Sequence, residues 1–299
     1  MKATSRLLIV LALCTGTYSL KAQDDLFDLF GEEEPVIEYA YATFKTTRVV
    51  YGHSVENPAE GNLLFLIQHN FGALNSGAYE FFGLDRATIR LGLEYGINDH
   101  IAVGIGRSAW EKTYDGFIKV KLLRQSSGAR MMPLSVSYYA NMALNSLRWR
   151  FPERTNYFTS RLSYVHQLLI AHKFGESFSL QLSPTIIHKN LVPTKADKNL
   201  SYAMGFGGRV KLTNRMTFNA EYFYYPEDQT TLNRMDIVSL GFDIETGGHV
   251  FQLHISNGQA MFERAFITET TGKWGGGDIF FGFNISRNFV IVKPKAFRE

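Results

Sequence analysis

The chain has 299 residues, a formal net charge of +3, 14% aromatic side chains and 20% charged side chains. This near balance of charge gives no reason to expect a nucleic-acid partner, and the charged fraction is lower than in an average soluble domain. The single cysteine, Cys14, lies near the start of the chain. If an N-terminal segment that includes Cys14 is cleaved off, the mature chain has neither disulfide nor thiolate chemistry.

Residues 1–22 have the pattern of a cleaved signal peptide. Lys2 and Arg6 form a basic start, Leu7–Leu13 is a short apolar core, and Ala22 suits the residue before the cleavage site. The apolar core is too short to cross a bilayer as a helix. Removing these residues leaves equal numbers of acidic and basic side chains. We therefore predict an exported chain that begins at residue 23.

Residues 23–60 differ in composition from the rest of the chain. Seven acidic residues precede the first basic residue, Lys45: Asp24, Asp25, Asp28, Glu32, Glu33, Glu34 and Glu38. Ala42–Val50 resembles a strand, and Asn57-Pro58 marks a turn after it. The sequence thus predicts an acidic N-terminal tail followed by an extra strand-like segment. The tail is interpreted either as a disordered leader or as a plug or partner peptide.

Residues 61–299 repeat one unit, a run of about ten residues with alternating apolar and polar side chains, followed by a turn. In one such run Ile89 and Leu91 alternate with Arg90 and Gly92. A soluble β-sandwich also alternates, but it has less need of aromatic strand ends. Sustained alternation behind an export signal predicts an all-β fold, an antiparallel transmembrane β-barrel of about 12 strands. The expected strands are 62–71, 86–96, 100–110, 114–124, 133–143, 157–171, 177–188, 200–212, 216–225, 235–245, 249–257 and 277–289.

The connections between these strands alternate in length, which predicts an orientation. In outer-membrane barrels the short turns face the periplasm and the long loops face outward. The long connections are 72–85, 143–156, 190–199, 226–234 and 258–277, and the short ones are 98–99, 175–176, 213–215 and 246–248. The run 125–133 is longer than this scheme expects. The extra segment at 42–50 would break the alternation as a thirteenth strand, so we expect it against the periplasmic mouth or inside the lumen.

If apolar side chains face lipid, polar side chains on the other face line the lumen. The predicted lumen-lining residues are Arg90, Glu94, Lys119, Lys121, Arg161, Gln181, Arg209, Lys211, Glu221, Asp243, Gln252, His254 and Asn284. Both signs of charge occur, which favours ion pairing across a lumen narrower than that of the 16-stranded porins. Paired side chains and an N-terminal plug could close such a lumen.

One short motif is compatible with catalysis. His254-Ile255-Ser256-Asn257-Gly258 resembles the His-x-Ser-Asn-Gly stretch of outer-membrane phospholipase A, a twelve-stranded barrel, and a related His-x-Ser occurs in lipid A deacylases. The resemblance implies Ser256 as nucleophile, His254 as base, and Glu263 or Glu269 as the group that orients the base. The alternation along the strand argues against catalysis, because it turns His254 and Ser256 toward the lumen and away from lipid.

Over residues 40–295 the chain resembles an uncharacterised outer-membrane β-barrel family of Gram-negative bacteria, a domain of unknown function. The resemblance depends on the following stretches: Arg48–Ser54, Gly83–Ala87, Val103–Arg107, Tyr114–Phe117, His249–Gly258 and Gly277–Ile279. It implies a barrel and no established ligand or reaction. The chain departs from typical barrels at Phe297-Arg298-Glu299, where a terminal aromatic residue is usual.

These observations leave three functional hypotheses. The first is a non-enzymatic outer-membrane barrel, either a narrow channel or a structural, partner-binding protein. The second is a lipid hydrolase that uses the His254–Ser256 motif. The third is a surface receptor that acts through long extracellular loops, especially 258–277 with Phe262, Phe266 and Trp274. We expect no metal and no cofactor. Expected partners are outer-membrane lipid and either a small solute or a periplasmic protein.

Overall fold

The structure, a computed structural model, describes residues 36–293. The predicted signal peptide and most of the acidic tail lie outside the described residues. Contacts divide the chain into two units. The described part of the smaller unit consists of residues 36–38 and 128–130, where the Ala129 amide donates a hydrogen bond to the Val36 carbonyl at 3.3 Å. The larger unit, residues 39–127 and 131–299, contains the barrel.

Fourteen strands follow one another along the described chain. They are β1 Ile37–Tyr39, β2 Asn62–Ala73, β3 Ala87–Gly96, β4 Ile101–Ser108, β5 Tyr114–Leu123, β6 Ser126–Gly128, β7 Ser135–Leu144, β8 Leu162–Phe174, β9 Phe178–Lys189, β10 Leu200–Lys211, β11 Met216–Tyr224, β12 Ile237–Thr246, β13 His249–Ser256 and β14 Phe280–Val290. One short α-helix, α1, spans Glu263–Thr268. Within residues 36–293, no helix is long and apolar enough to cross a membrane.

All strands except β1 and β6 form one closed antiparallel barrel of twelve strands. Each strand pairs with its neighbour in the chain, and β14 pairs with β2 from Val290↔Asn62 to Phe280↔Ala73 to close the cylinder. Closure leaves no free sheet edge, so every strand finds backbone partners on both sides. The prediction of a 12-stranded antiparallel barrel is confirmed.

The extra segment does not add a strand to the barrel wall. The stretch predicted as strand-like, Ala42–Val50, consists of bends with a single β-bridge from Arg48 to His53. Its apolar residues suggested a strand, but its backbone bonds partly with barrel side chains and partly within residues 42–56, and it joins no strand ladder. Residues 124–134, too long for the predicted turn, contain the short strand β6.

The strand faces follow the alternation. On β3 the apolar side chains of Ile89, Leu91 and Leu93 are exposed, while Arg90 and Glu94 between them are buried. An apolar outer face is what a barrel wall presents to hydrocarbon, so the buried polar face is the interior. His166 also lies on the outer face, where its Nδ1 is 2.7 Å from the Tyr138 hydroxyl.

The connections alternate between the two ends of the barrel, and most lengths agree with the prediction; the exceptions are a short connection at the outer end, 109–113, and a long one at the inner end, 124–134. Residues 74–86, 145–161, 190–199, 225–236 and 257–279 lie at one end, here called the outer end. Residues 97–100, 175–177, 212–215 and 247–248 lie at the opposite end, here called the inner end, where β2 begins and β14 finishes. The chain therefore enters the barrel wall from the inner end.

Candidate functional site

Residues 42–56, here called the inner segment, fold inside the barrel. The segment turns back on itself, because the Val49 amide donates to the Gly52 carbonyl at 2.8 Å and the Ser54 amide donates to the Thr47 carbonyl at 3.0 Å. Val49, Val50, Tyr51, His53, Ser54 and Val55 are all at most 1% exposed. The tip of this turn lies in the middle of the barrel interior, far from the lipid face.

Glu221 on β11 binds the tip of the inner segment. Its carboxylate accepts hydrogen bonds from the backbone amides of Val50 at 3.2 Å, Tyr51 at 3.3 Å and Gly52 at 3.0 Å. A β-carbon added at Gly52 would lie 3.1 Å from Glu221 Oε2, so glycine permits this close approach. One carboxyl group therefore supplies the acceptors for three buried backbone donors that have no strand partner.

The returning arm of the inner segment is held by side chains of β5, β7 and β9. Gln181 on β9 accepts from the Val55 amide at 3.0 Å and donates to the His53 carbonyl at 2.8 Å. Ser137 on β7 donates to the Val55 carbonyl at 3.1 Å. Lys119 on β5 is fully buried and donates to the carbonyls of residues 54 and 56. The wall therefore supplies the backbone partners that a neighbouring strand would otherwise provide.

The remaining wall contacts complete a ring around the segment. Gln252 on β13 donates to the Val49 carbonyl at 2.8 Å, and Asn284 on β14 donates to the Val50 carbonyl at 3.2 Å. Arg209 on β10 donates to the carbonyls of residues 42 and 43 at 2.9 and 3.2 Å. Side chains from seven barrel strands thus bind the backbone of one short stretch.

Buried ion pairs lie beside the inner segment. Arg48 of the segment is 3.0 Å from a carboxylate oxygen of Glu94 on β3. Arg90 donates to Asp115 at 3.0 Å and to Gln68 at 2.9 Å. These charges are removed from water, so each depends on its partner for stabilisation.

The connection between β13 and β14 folds into the barrel from the outer end. Residues 257–272, here called the outer segment, include α1 and bury the side chains of Met261, Phe262, Phe266 and Ile267. Phe266 packs 5.3 Å from Phe223 of β11, measured between ring centroids. The prediction that Phe262 and Phe266 are displayed on an extracellular loop is wrong, because an apolar loop of this composition is more stable when the barrel interior buries it.

The inner and outer segments meet inside the barrel. The Tyr51 hydroxyl donates to the Gly258 carbonyl at 3.1 Å and accepts from the Asn70 amide group at 2.8 Å. His53 Nε2 lies 3.7 Å from a carboxylate oxygen of Glu263 in α1. Burial raises the pKa of Glu263, and burial together with the charges of nearby basic side chains holds the pKa of His53 well below its usual value. The two segments are therefore joined by polar contacts in the interior.

The predicted catalytic residues do not form a catalytic arrangement. His254 Nε2 lies 2.8 Å from Asn70 Oδ1, whereas the Ser256 hydroxyl bonds with Ser239 at 2.9 Å and accepts from the Gly258 amide at 3.0 Å. No hydrogen bond joins His254 and Ser256 in the described part of the chain, and both are almost completely buried.

The two predicted orienting carboxylates lie elsewhere. Glu263 faces His53, and Glu269 pairs with Arg264 and lies 3.6 Å from Lys189. Neither carboxylate contacts His254 among the interactions of residues 36–293. The four candidates therefore lie in four different polar groups.

The structure buries most of the side chains predicted to line the lumen. The buried members are Arg90, Glu94, Lys119, Gln181, Arg209, Glu221, Asp243, Gln252, His254 and Asn284. Lys121, Lys211 and Arg161 are partly exposed, and Arg161 belongs to a 3-10 turn at the outer end instead of a strand. Sequence reasoning missed Asp115 and Ser137, although each alternates with outward-facing neighbours on its own strand. No cluster of three potential metal ligands occurs within residues 36–293.

Cavities remain at the two ends of the interior. A cavity of about 340 Å³ lies at the outer end, and one of about 410 Å³ lies at the inner end beside residues 40–46. Between the inner segment and strands β13 and β14 the remaining gap is about 10 Å³, which is space for one water molecule at most. The two segments thus separate the two cavities.

These features define a class of protein, a membrane-spanning β-barrel whose interior is filled by two segments of its own chain. The chain belongs to the family described as Membrane bound beta barrel domain (DUF5777), which matches residues 44–289. The matched range begins within the inner segment, so the family's domain includes most of that segment as well as the wall.

Solved structures with a similar trace are outer-membrane barrels. The NanC porin is 7% identical with a TM-score of 0.48, and the match covers 75% of this chain and 98% of that one. A COG4313 outer membrane channel from Pseudomonas putida F1 is 10% identical over 78% of this chain and 97% of that one, with a TM-score of 0.45. Outer membrane phospholipase A from Escherichia coli is 11% identical over 77% and 91%, with a TM-score of 0.41. These similarities carry no argument about function. No curated protein matches the chain.

Proposed function

We propose that this protein is a non-enzymatic outer-membrane barrel, a narrow solute channel that its inner segment holds closed. The observation that carries the proposal is the ring of wall side chains bonded to the backbone of residues 42–56. A purely structural barrel can fill its interior with side chains paired across the wall. Here wall groups instead bind the backbone of a stretch that precedes the barrel wall in the chain, as a binding site binds a peptide.

The chemistry of the wall supports passage of polar solutes once the segment leaves. Release of the inner segment would uncover carboxylates, amides and basic groups, among them Glu221, Asp243, Gln252 and Arg209. A lumen lined by both charge signs favours small hydrophilic solutes over one class of ion. Twelve strands give a narrower pore than the larger porins have.

The topology supports control from the inner end, which faces the periplasm in an outer-membrane protein. The inner segment enters from the end where β2 begins, and the acidic residues 24–38 precede it in sequence. A periplasmic partner with basic groups could bind that acidic stretch and withdraw the segment. A small solute and such a partner are the two ligands that this proposal requires.

Glu221→Gln is expected to increase channel opening in planar bilayers by about 10- to 100-fold. The glutamine keeps one acceptor oxygen but turns an amide donor toward backbone donors, so at least one buried amide of residues 50–52 is left without an acceptor, at a cost of about 1–3 kcal/mol. The control is Glu245→Gln, since Glu245 pairs with Lys45 of the inner segment but is half exposed. We expect that control to change opening by less than about threefold.

A disulfide between Cys substitutions at Val55 and Ser137 tests the assignment of the gate directly. Ser137 bonds to the Val55 carbonyl, and the only natural cysteine is Cys14 in the predicted signal peptide. In the Glu221→Gln background, oxidation should abolish openings and a reductant should restore them. Openings that persist when gel mobility shows complete cross-linking would contradict the proposal.

The hydrolase hypothesis predicts that the protein hydrolyses lipid, and the channel hypothesis predicts that it does not. In mixed micelles we expect no phospholipid hydrolysis and no deacylation of lipid A, because Ser256 is buried and its hydroxyl is bonded to Ser239 and the Gly258 amide. The measurement is fatty-acid release by the wild type and by Ser256→Ala, with heat-modifiable gel mobility as the folding check. Release that disappears in Ser256→Ala while the barrel stays folded would replace the channel hypothesis by the enzyme hypothesis.

A further inference from the structure

The cavity at the outer end has an unbalanced charge. Five of its lining residues are basic and two are acidic: Arg148, Arg150, Arg161, Lys189 and Arg264 against Glu111 and Glu269. Arg264 bonds to both of these carboxylates, and Lys189 lies 3.6 Å from Glu269. These four charges neutralise one another. The three arginines of the connection 145–161 therefore remain without a carboxylate partner in the cavity.

Each of these three arginines is placed differently. Arg161 donates to the carbonyls of residues 145 and 147 and stacks 3.8 Å from the Trp149 ring centroid, so its position is fixed. Arg150 lies over the Phe151 ring at 5.4 Å. Arg148 is exposed, and its side chain forms no ion pair or hydrogen bond within residues 36–293. One arginine is thus built into the cavity wall and two are free to reach a ligand.

We propose that this cavity binds a small soluble anion that carries carboxylate or phosphate groups. Guanidinium groups form paired hydrogen bonds with both of these groups, and an excess of positive charge concentrates anions at the mouth. The cavity is also lined by Ala143, Ser163 and Lys189, which are buried on the interior side of β7, β8 and β9. A ligand there contacts the barrel mouth and not the lipid face, so the source is a solute.

The size of the cavity agrees with this class of ligand. About 340 Å³ is within the range of sites for small organic molecules. Leu147, Leu191, Val192 and Pro193 give it an apolar side, which suits a ligand with a carbon skeleton. Anion binding at this cavity does not depend on the proposed channel mechanism, because it is measured on the closed protein and does not require the inner segment to move.

The test is isothermal titration calorimetry of the full-length chain in nonionic detergent, with citrate, inorganic phosphate and sucrose as separate probes. We expect saturable binding of citrate, weaker binding of phosphate and no binding of sucrose, with affinity that falls as salt is added. Arg148→Gln and Arg150→Gln should each weaken citrate binding about tenfold, the value of one charge-assisted hydrogen bond. Both variants change exposed side chains and should keep heat-modifiable mobility.

The matched control is Arg154→Gln. Arg154 is exposed on the same connection and stacks on the same Phe151, but it does not line the cavity. We expect it to bind citrate like the wild type. An equal loss in Arg154→Gln, or no saturable heat with citrate or phosphate, would overturn the site. Binding seen only with a phosphorylated glycolipid added to the micelles would show that the ligand is a lipid headgroup and not a soluble anion.

Discussion

Deletion of residues 40–57 is expected to convert a barrel without steady current into a conducting one. The deleted stretch includes the whole inner segment, whose backbone closes the space between wall residues such as Glu221 and Gln181. Ala59 is retained because its carbonyl accepts from the Asn62 amide at 3.0 Å where β2 begins. Without the segment, the polar wall groups would take water as their partner, and a hydrated path would reach the outer segment.

The outer segment must be varied in parallel, since it fills the other half of the interior. Phe266 rests against Tyr51 at 5.9 Å between ring centroids, so loss of the inner segment also removes support from α1. The comparison uses three variants in planar bilayers: deletion of 40–57, replacement of 261–268 by a Gly-Ser linker, and both changes together. We expect current from the first, none from the second and the largest from the third. A conducting linker variant with the inner segment intact would show that the outer segment is the gate.

The barrel itself could be predicted from sequence because its physical causes are local. Each strand must alternate with a period of two to put apolar side chains on lipid and polar ones inside, and each turn needs residues that leave the strand conformation. Errors occur only at strand ends. The strand expected from 157 begins at Leu162 because Phe158–Arg161 forms a 3-10 turn, and the strand expected to reach 110 ends at Ser108 before the turn Trp110–Lys112.

The contents of the barrel could not be predicted in the same way. The partners of residues 50–52 lie about 170 positions away on Glu221, and no local pattern records that pairing. The resemblance to the family did include Arg48–Ser54, which forms the buried turn of the inner segment, but the resemblance did not say where that stretch lies. One signal was present: Phe262 and Phe266 in a supposed surface loop needed an apolar environment, and the interior supplies it.

The second large effect is expected on the stability of the barrel, through an ion pair in its interior. Arg90→Met is expected to lower the free energy of unfolding by about 3–5 kcal/mol, because it leaves the Asp115 carboxylate buried without its cation. The side chains of Arg90 and Asp115 are 3% and 1% exposed. Gly106 on β4 pairs with Gly92 of β3, and a β-carbon at Gly106 would collide with the Arg90 guanidinium, so glycine at this position leaves room for the ion pair. The measurement is urea unfolding in lipid vesicles, followed by tryptophan fluorescence.

Two further variants distinguish the effect of an unpaired buried charge on stability from the effect of a general loss of packing. Lys198→Met removes the cation of an exposed pair with Asp228, whose side chains are 50% and 72% exposed, and should leave the free energy of unfolding almost unchanged. Arg90→Met combined with Asp115→Leu removes both charges at once and should recover most of the lost stability, since an apolar pair no longer carries an unpaired ion. If the double variant were no more stable than Arg90→Met, the interior would depend on the hydrogen bonds of Arg90 itself, including the one to Gln68, and not on charge balance.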